Sequence, residues 1–192
     1  MNNFFAMLYR MRYIDRWGLM NNTRVENICE HSLDVAVLSH ALVMIANKRF
    51  SAELSADRAA VLGMFHDASE IITGDLPTPV KYYNEDIKKA YKQIEDVSEQ
   101  SLLKMLPDYL REDYDELISS KSADKELLPY VKAADKLSAL IKCISEIRMG
   151  NTEFIKAERT IREALEKIEL PALKVFMEEF LPSYELTLDE LE

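Results

Sequence analysis

The sequence contains few residues that bend or break a helix: 4 glycines and 6 prolines among 192 residues. Leu, Ala, Glu, Lys, Ile and Met dominate instead, and these residue types favour helices. The sequence shows no internal repeat, low-complexity run or flexible linker, and its length suits one domain with a sizeable core. We therefore expect an all-α protein in which residues 1–192 form a single helical domain.

Cysteine, histidine and positive charge are also scarce. The two cysteines, Cys29 and Cys143, cannot build a disulfide framework and fit a reducing cytosol. The formal net charge of −10 argues against a nucleic-acid polymer or an anionic membrane as partner, because both require a positive surface. Three histidines argue against a His-rich multinuclear site. The 4 glycines, none of them five residues apart, exclude the P-loop spacing.

The sequence lacks clear signals for export or membrane insertion. Its apolar N-terminal segment is interrupted by Arg10 and Arg12 and has no small-residue cleavage site, unlike a signal peptide. The longest apolar stretch, residues 35–46, contains His40 and is too short to span a bilayer. We expect a soluble, cytoplasmic protein.

Apolar periodicity predicts the order of the helices. In the first half we predict a helix over 3–13, a loop over 14–18, a helix ending near Asn47, and a central helix capped by Ser55 and ending at Gly74. A helix over 87–106, with Ile94 and Val97 inward, and a shorter helix from Pro107 to about Ser119 follow. After a polar break at 121–124 we predict a helix from Leu127 to Gly150, a helix capped by Thr152, and a helix over 171–181. Pro77 and Pro79 predict a stiff, extended loop over 75–79, because proline also restricts the residue before it.

The central helix carries ionisable side chains inside an apolar pattern. Met64, Phe65, Ala68, Ile71 and Ile72 recur at the spacing of a buried helix face. His66 and Asp67 therefore lie at or beside that face, where an ionised Asp needs a cation or several donors. Glu70 follows Asp67 by three residues and His66 by four, so the three side chains share one patch. A core histidine bonded to its neighbours, with Glu70 reaching water, would fit the same pattern.

Two further polar residues interrupt apolar stripes elsewhere. His31 shares a helix face with Val35, Leu38 and Leu42, and Asp135 faces inward among apolar residues, which costs free energy unless the carboxylate is paired. His40 lies about half a turn away from His31, and we expect it to be structural. Four residues place polar side chains at or beside apolar faces, which costs free energy: His31, His66, Asp67 and Asp135. Together they suit a site for one divalent ion such as Mn, Co, Fe, Ni or Zn, with positions open for water and substrate.

The order of these residues on helices of an all-α chain resembles the HD-domain metal-dependent phosphohydrolases. Longer segments make the resemblance more specific and are similar to the bacterial 5′-deoxynucleotidase branch: Asp15-Arg16-Trp17, residues 26–32 (ENICEHS), residues 66–70 (HDASE) and residues 73–82 (TGDLPTPVKY). The similarity extends over essentially the whole chain.

The resemblance implies a single HD-domain helical bundle that hydrolyses 2′-deoxynucleoside 5′-monophosphates to deoxynucleoside and phosphate. It implies one divalent ion, Co, Mn or a similar transition metal, with the ligands His31, His66, Asp67 and Asp135. Among the catalytic residues, Arg16 orients the phosphate, Glu70 lies near the attacking water, and Asp67 belongs to the metal site. A homodimer is also expected.

The implied substrate contacts lie around the phosphate and the sugar: Arg16, Trp17, His31, Asp67, Asp75, Leu76, Pro77, Thr78 and Asp135. Trp17 would crowd the 2′ position, so that a ribose fits poorly. Two other functions are compatible with the residues. One is an HD-type hydrolase of another nucleotide phosphate ester, such as a nucleoside triphosphate or a cyclic dinucleotide. The other is an acidic helical scaffold that keeps its His and Asp for core hydrogen bonds.

Overall fold

The computed structural model describes residues 2–81, 83–119 and 124–191. These ranges are mainly helical and contain no strand beyond one isolated bridge between Asp15 and Asn27, which confirms the all-α prediction. The α-helices are α1 Phe4–Leu8, α2 Ile28–Phe50, α3 Ala56–Phe65, α4 Glu70–Thr73, α5 Thr78–Lys81, α6 Glu85–Leu103, α7 Asp108–Ile118, α8 Leu128–Arg148, α9 Ile155–Glu166 and α10 Pro171–Glu179. Short 3-10 helices span Tyr9–Tyr13, Thr152–Phe154, Leu181–Glu185 and Leu188–Glu190.

Helices α2 and α8 supply much of the main hydrophobic core. Val35 and Leu42 of α2 and Leu137 of α8 are fully buried in one cluster, to which α3 and α10 also contribute. His31 and Asp135 belong to these same two helices. Packing of the core therefore brings two polar residues of distant sequence together.

A close approach between α2 and α3 depends on Gly63. A Cβ atom at this position would lie 2.8 Å from the Cα of Ala36 and 2.9 Å from its backbone nitrogen, which is closer than side-chain carbons come to backbone atoms. Glycine allows the two helices to touch here. Since His66 follows Gly63 by three residues, this contact also fixes how near His66 lies to α2.

The central helix is interrupted, contrary to the prediction of one helix from Ser55 to Gly74. Ser55 caps α3 and Gly74, with φ 73°, ends α4, but His66–Ser69 form a turn between them. The N–H of Ala68 donates to the Phe65 carbonyl, a tighter bond than the α-helical one. Ala68 is fully buried in a second apolar cluster with residues of α1 and α6, a tertiary contact that fixes the turn.

This interruption changes which apolar residues are buried. Met64 and Ile72, both predicted to lie on the buried face, are each 45% exposed. The turn between α3 and α4 shifts the helical phase, so a stripe extrapolated through residue 66 no longer follows one face. The same turn releases His66 and Asp67 from the geometry of a continuous helix.

The predicted proline-rich loop is shorter than expected. Helix α5 begins at Thr78, so only the segment before it remains non-helical. The N–H groups of Val80 and Lys81 donate to the Pro77 carbonyl. Pro79 is compatible with this helix because the first turn does not need its missing N–H.

The buried face of helix α6 agrees only in part with the prediction. Tyr91 is buried, as its apolar spacing predicts, but Ile94 and Val97 are 52% and 66% exposed, and Ser98 and Leu102 are buried. The exposed and buried residues both follow helical spacing, so periodicity alone did not distinguish the face that packs on α1 and α7.

Other boundaries differ only at the ends. The predicted N-terminal helix is α1 followed by the 3-10 turn Tyr9–Tyr13. The side chain of Asn151, rather than Thr152, caps the short helix before α9, accepting from the N–H of Glu153. Residues 121–123 of the predicted polar break lie outside the described residues.

Helix α2 is long and apolar enough to cross a membrane by length and composition, unlike the shorter stretch considered in the sequence. Half of its most apolar window is buried inside the protein, and the core helix of a soluble protein passes the same test. This feature is therefore weak evidence for a membrane span.

Candidate active site

Two imidazoles and two carboxylates meet at one point of the helical bundle. The Nε2 atom of His31 lies 3.2 Å from Oδ1 of Asp135 and 3.5 Å from Oδ2 of Asp67. The Nε2 atom of His66 lies 3.0 Å from the same Asp67 oxygen. The structure thus brings together the four residues whose polar side chains interrupt predicted apolar helix faces. We call them the His–Asp cluster.

The far side of each ring is held by a second partner. Nδ1 of His31 lies 3.1 Å from the Ser138 hydroxyl, and Nδ1 of His66 donates to the Gly63 carbonyl over 2.8 Å. Both Nε2 atoms are buried without a hydrogen-bond partner among the residues described. In both rings a partner holds Nδ1 while Nε2 is directed at a carboxylate. Histidines that bind metals are commonly held in this way, with one ring nitrogen bonded to the protein and the other free for the metal.

The donor set fits a metal ion. His31, His66 and Asp67 each offer one atom, and these atoms all lie within 4.8 Å of one another. Asp135 adds a carboxylate beside His31. Mixed imidazole and carboxylate ligands suit divalent transition metals, including Mn, Co, Fe and Zn.

The carboxylates draw positive charge into the cluster. Burial lowers the pKa of His31 to about 4. Burial also favours the neutral ring of His66, but the charge of the adjacent Asp67 carboxylate raises its pKa to about 9. His66, His31 and Arg16 overcome burial to hold the pKa of Asp67 below its usual range. Asp67 and its neighbours therefore favour a cation at this point.

Arg16 approaches the cluster from the loop before α2. Its backbone N–H donates to the Glu26 carbonyl over 2.8 Å, next to the isolated Asp15–Asn27 bridge. Its Nε lies 3.0 Å from Oε1 of Glu26, and its Nη1 lies 3.7 Å from Oδ2 of Asp67. The guanidinium group therefore lies between a buried glutamate and the His–Asp cluster.

Glu70 lies beside the same cluster, at the start of α4. It is buried, and its N–H donates to the Asp67 carbonyl. Burial, followed by the nearby charges of Asp67 and Asp75, raises the pKa of Glu70 to about 9. Lys81, a residue to which the sequence analysis gave no role, opposes this shift and pairs with Glu95 over 2.8 Å.

The predicted sugar-contacting residues are only partly placed by contacts. Burial raises the pKa of Asp75 and interaction with the Trp17 backbone opposes that rise, and the indole ring packs 5.3 Å from the ring of Phe154. The indole nitrogen is buried without a hydrogen-bond partner in the described ranges. Leu76 and Pro77 are half-buried, and Thr78 is exposed at the start of α5. Their roles rest on the sequence alone.

His40 lies elsewhere, as predicted. Its Nε2 is 3.6 Å from Oδ1 of Asp57, and the side chains of His40 and Asp57 are 44% and 98% exposed. His40 and Asp57 therefore form a surface pair separate from the His–Asp cluster.

A buried ion pair on α8 holds the loop that carries Arg16 and Trp17. Glu146 is 1% exposed, and its carboxylate pairs with Lys142. The same carboxylate accepts from the backbone N–H groups of Thr23 and Arg24, at 2.8 and 3.1 Å. Glu146 was not predicted from the sequence, although a glutamate one helical turn after a lysine was an available signal.

Glu26 was also missed as a functional candidate. It lies within the segment that carries the family resemblance, yet only its 8% exposure and its approach to Arg16 show that it supports the site. Ser138 and Gly63 likewise gain their importance from contacts with His31 and His66. Such partners cannot be identified from helical spacing alone.

Comparison with known proteins gives a consistent family. The family model described as 5′-deoxynucleotidase YfbR-like matches residues 3–184. A protein of Shewanella oneidensis named 5′-deoxynucleotidase is 51% identical over 191 residues, covering 100% of this chain and 98% of that protein. The match therefore includes every residue of the His–Asp cluster and nearly the full length of the relative.

Solved structures share the fold at lower identity. An HD-domain phosphohydrolase from Listeria innocua aligns with a TM-score of 0.78 and 21% identity, covering 95% of this chain and 88% of that chain. An HD phosphohydrolase of cyanophage S-2L, bound to dA and one catalytic Zn²⁺ ion, aligns with a TM-score of 0.67 and 19% identity, covering 95% and 96%. These likenesses show the HD-domain fold.

Proposed function

Because the chain belongs to the YfbR-like 5′-deoxynucleotidase family, we propose that it is a metal-dependent phosphomonoesterase that hydrolyses 2′-deoxynucleoside 5′-monophosphates to deoxynucleoside and phosphate. The single observation that carries the proposal is the His–Asp cluster with Arg16 and Glu70 beside it. This arrangement combines a cation site, a phosphate-binding cation and a proton-handling group, which are the parts that phosphate-ester hydrolysis needs.

We assign His31, His66, Asp67 and Asp135 as the residues that would hold one divalent ion. When bound, the ion supplies Lewis-acid stabilisation of phosphoryl charge and lowers the pKa of water. Two imidazole and two carboxylate ligands support a transition metal, and the cyanophage neighbour contains a catalytic Zn²⁺. Cobalt and manganese remain the metals that the family resemblance favours.

Arg16 and Glu70 divide the remaining chemistry. The guanidinium of Arg16 donates hydrogen bonds to the non-bridging phosphate oxygens and orients the phosphoryl group. Glu70 orients the attacking water or handles its proton. Their positions near Asp67 support this division, because Asp67 interacts electrostatically with both residues.

The sugar is recognised beside the loop that follows α4. Asp75, with Leu76, Pro77 and Thr78, binds the sugar end of the substrate, and Trp17 crowds the 2′ position. The interaction of the Trp17 backbone with the Asp75 carboxylate supports this placement, because it relates the two sugar-contacting segments. No separate base-reading motif is visible in the sequence, so we expect little preference among bases.

The protein acts as a cytoplasmic homodimer without a nucleic-acid polymer as partner. The net charge of −10 and the free cysteines support the location and the absence of a polyanionic partner. An exposed apolar stripe on α2 supports dimerisation: Leu33, Val37 and Met44 are 59%, 62% and 38% exposed. Such a stripe is suited to burial against a second copy.

Phosphate release from matched deoxy- and ribonucleoside monophosphates, measured with several divalent metals, tests the function. We expect stoichiometric metal binding and faster hydrolysis of the deoxynucleotides. Preferential hydrolysis of triphosphates or cyclic dinucleotides would favour the other HD-type activity. Neither bound metal nor metal-dependent phosphate release would favour the scaffold alternative. Light scattering at varied concentration tests the dimer separately.

A further inference from the structure

We propose that Glu26 is a positioning residue for Arg16: its carboxylate holds the Nε edge of the guanidinium group, so that the terminal nitrogens face the phosphate. The inference rests on the proposed function, since it concerns the phosphate that Arg16 binds there. Glu26 itself touches neither the phosphate nor the ion in this proposal. Its role is to determine which part of Arg16 is available to them.

The backbone places Glu26 directly beside Arg16. The Arg16 N–H donates to the Glu26 carbonyl over 2.8 Å, and the Ile28 N–H donates to the Ile14 carbonyl over 2.9 Å. These two bonds flank the Asp15–Asn27 bridge. The loop carrying Arg16 is thereby attached to the start of α2, the helix that also carries His31.

The side chains repeat this pairing in a buried environment. Nε of Arg16 lies 3.0 Å from Oε1 of Glu26, and the exposed fractions of the two side chains are 12% and 10%. A buried carboxylate is costly without a cation beside it. Burial raises the pKa of Glu26, and the charge of Arg16, followed by that of Lys142, opposes this rise. Arg16 is therefore the main partner of Glu26.

This pairing selects the direction of the guanidinium group. With Nε toward Glu26, the terminal Nη1 lies 3.7 Å from Oδ2 of Asp67. The terminal nitrogens can then donate to a phosphate beside the His–Asp cluster, as the planar guanidinium does in bidentate phosphate recognition. Without Glu26, the flexible Arg16 side chain has no fixed partner on its far edge.

The attraction depends on charge more than on hydrogen-bond alignment. Nε of Arg16 and Oε1 of Glu26 are within ion-pair distance, but neither atom has a hydrogen-bond partner of acceptable geometry among the described residues. The amide of glutamine keeps the size of the side chain and removes its charge. Glu26→Gln therefore isolates the electrostatic contribution with little change in packing.

Steady-state kinetics with a deoxynucleoside monophosphate, at equal metal loading, provides the first test. We expect Glu26→Gln to lower kcat/KM about 10- to 100-fold, through both a lower kcat and a higher KM, because displacing a phosphate-orienting group disturbs the reacting geometry. In the Arg16→Ala background, Glu26→Gln should cause no further loss. Full activity of Glu26→Gln, or a further loss in that background, would overturn the proposal.

Matched controls separate positioning from folding. Glu179→Gln removes the carboxylate of a surface ion pair with Arg49, whose Nη2 lies 3.0 Å from Oε1 of Glu179, and should leave kcat/KM unchanged. Thermal unfolding and metal content of every variant should be compared with wild type. A role limited to folding would make the losses from Glu26→Gln and Arg16→Ala additive, since unfolding removes activity in both backgrounds.

Nitrogen-15 NMR of the wild-type protein gives a test that does not depend on activity or on a mutant that folds. Inorganic phosphate should shift the terminal N–H resonances of Arg16 much more than its Nε–H resonance, which should exchange slowly with water. A larger shift at Nε–H would overturn the proposed orientation. Absence of phosphate release by a metal-loaded wild-type protein would instead defeat the proposed function, while the exchange rate of Nε–H would still report the pairing.

Discussion

The Nε2 atom of His31 lies 3.2 Å from Oδ1 of Asp135, although the two residues belong to α2 and α8, helices that are distant in sequence. The two helices pack through fully buried residues such as Val35 and Leu137. The polar contact is therefore fixed by apolar packing around it. A metal shared by these residues would connect the two central helices directly.

Replacing Asp135 should remove the metal while leaving the fold intact. Asp135→Ala removes one carboxylate from the cluster, and because the Asp135 side chain is 44% exposed, its truncation disturbs little core packing. We expect loss of activity and of stoichiometric metal, with the helical circular dichroism spectrum retained. Asp57→Ala is the matched control, because Asp57 faces His40 at the surface. Retained full turnover in Asp135→Ala would exclude a ligand role.

Ser138 should increase the affinity for the metal by holding the His31 ring, without contacting the metal itself. Ser138→Ala removes the partner of His31 Nδ1, and losing such a partner typically weakens metal binding about 10- to 100-fold. Competition with a chelator measures this change. Ser39→Ala is the control, since Ser39 is equally buried on α2 and its hydroxyl has no partner in the described part of the chain. Equal metal affinity in both variants would show that His31 does not need Ser138.

Arg16 and Glu70 should be distinguishable by kinetics. Arg16→Ala should lower turnover and weaken substrate binding, because Arg16 meets the phosphate before and during the reaction. Glu70→Ala should lower turnover about a hundredfold or more with binding and metal content largely kept. Single-turnover titrations with a deoxynucleotide separate the two effects. Loss of metal in Glu70→Ala would make Glu70 a ligand or its support.

Trp17 should control the choice of sugar. Trp17→Ala should narrow the ratio of kcat/KM between a deoxynucleotide and its ribonucleotide by about tenfold or more, because one steric contact contributes discrimination of this order. The more conservative Trp17→Phe should keep part of the selectivity. An equal loss of activity on both substrates would mean that Trp17 supports the fold through Phe154 instead.

Glu146 should make the stability of the protein sensitive to acid. Although burial opposes it, the hydrogen bond from Lys142, with further bonds, holds the pKa of Glu146 well below its ordinary value of 4.5. Because the folded pKa is lowered, the stabilisation is present above pH 4.5 and is lost as the pH falls through the folded pKa. Glu146→Gln should lower the free energy of unfolding by about 3 to 5 kcal/mol at neutral pH.

Urea unfolding from neutral to acidic pH measures both effects of Glu146. The variant should lose part of the acid dependence that wild type shows. Glu163→Gln, which removes an exposed pair with Arg159, should change the unfolding free energy by less than about 1 kcal/mol. Identical pH profiles for wild type and Glu146→Gln would show that the carboxylate does not contribute to acid unfolding.

The sequence by itself determined the helical class and the main candidates for the site. Few helix breakers and regular apolar spacing were sufficient to predict the helical class. The site candidates followed because a polar residue on an apolar stripe costs free energy unless it has a partner. His31, His66, Asp67 and Asp135 were all identified in this way. Segments 15–17, 26–32, 66–70 and 73–82 carried the family resemblance.

Only the tertiary structure decided where the central helix breaks and which residues support the site. Burial of Ala68 against α1 and α6 fixes the turn that directs His66 and Asp67, and the approach of α3 to α2 requires Gly63. Glu26 became significant only through its contact with Arg16. Local periodicity records which face of a helix is apolar, but not which distant segment packs there, because that choice depends on how all the helices fill one core.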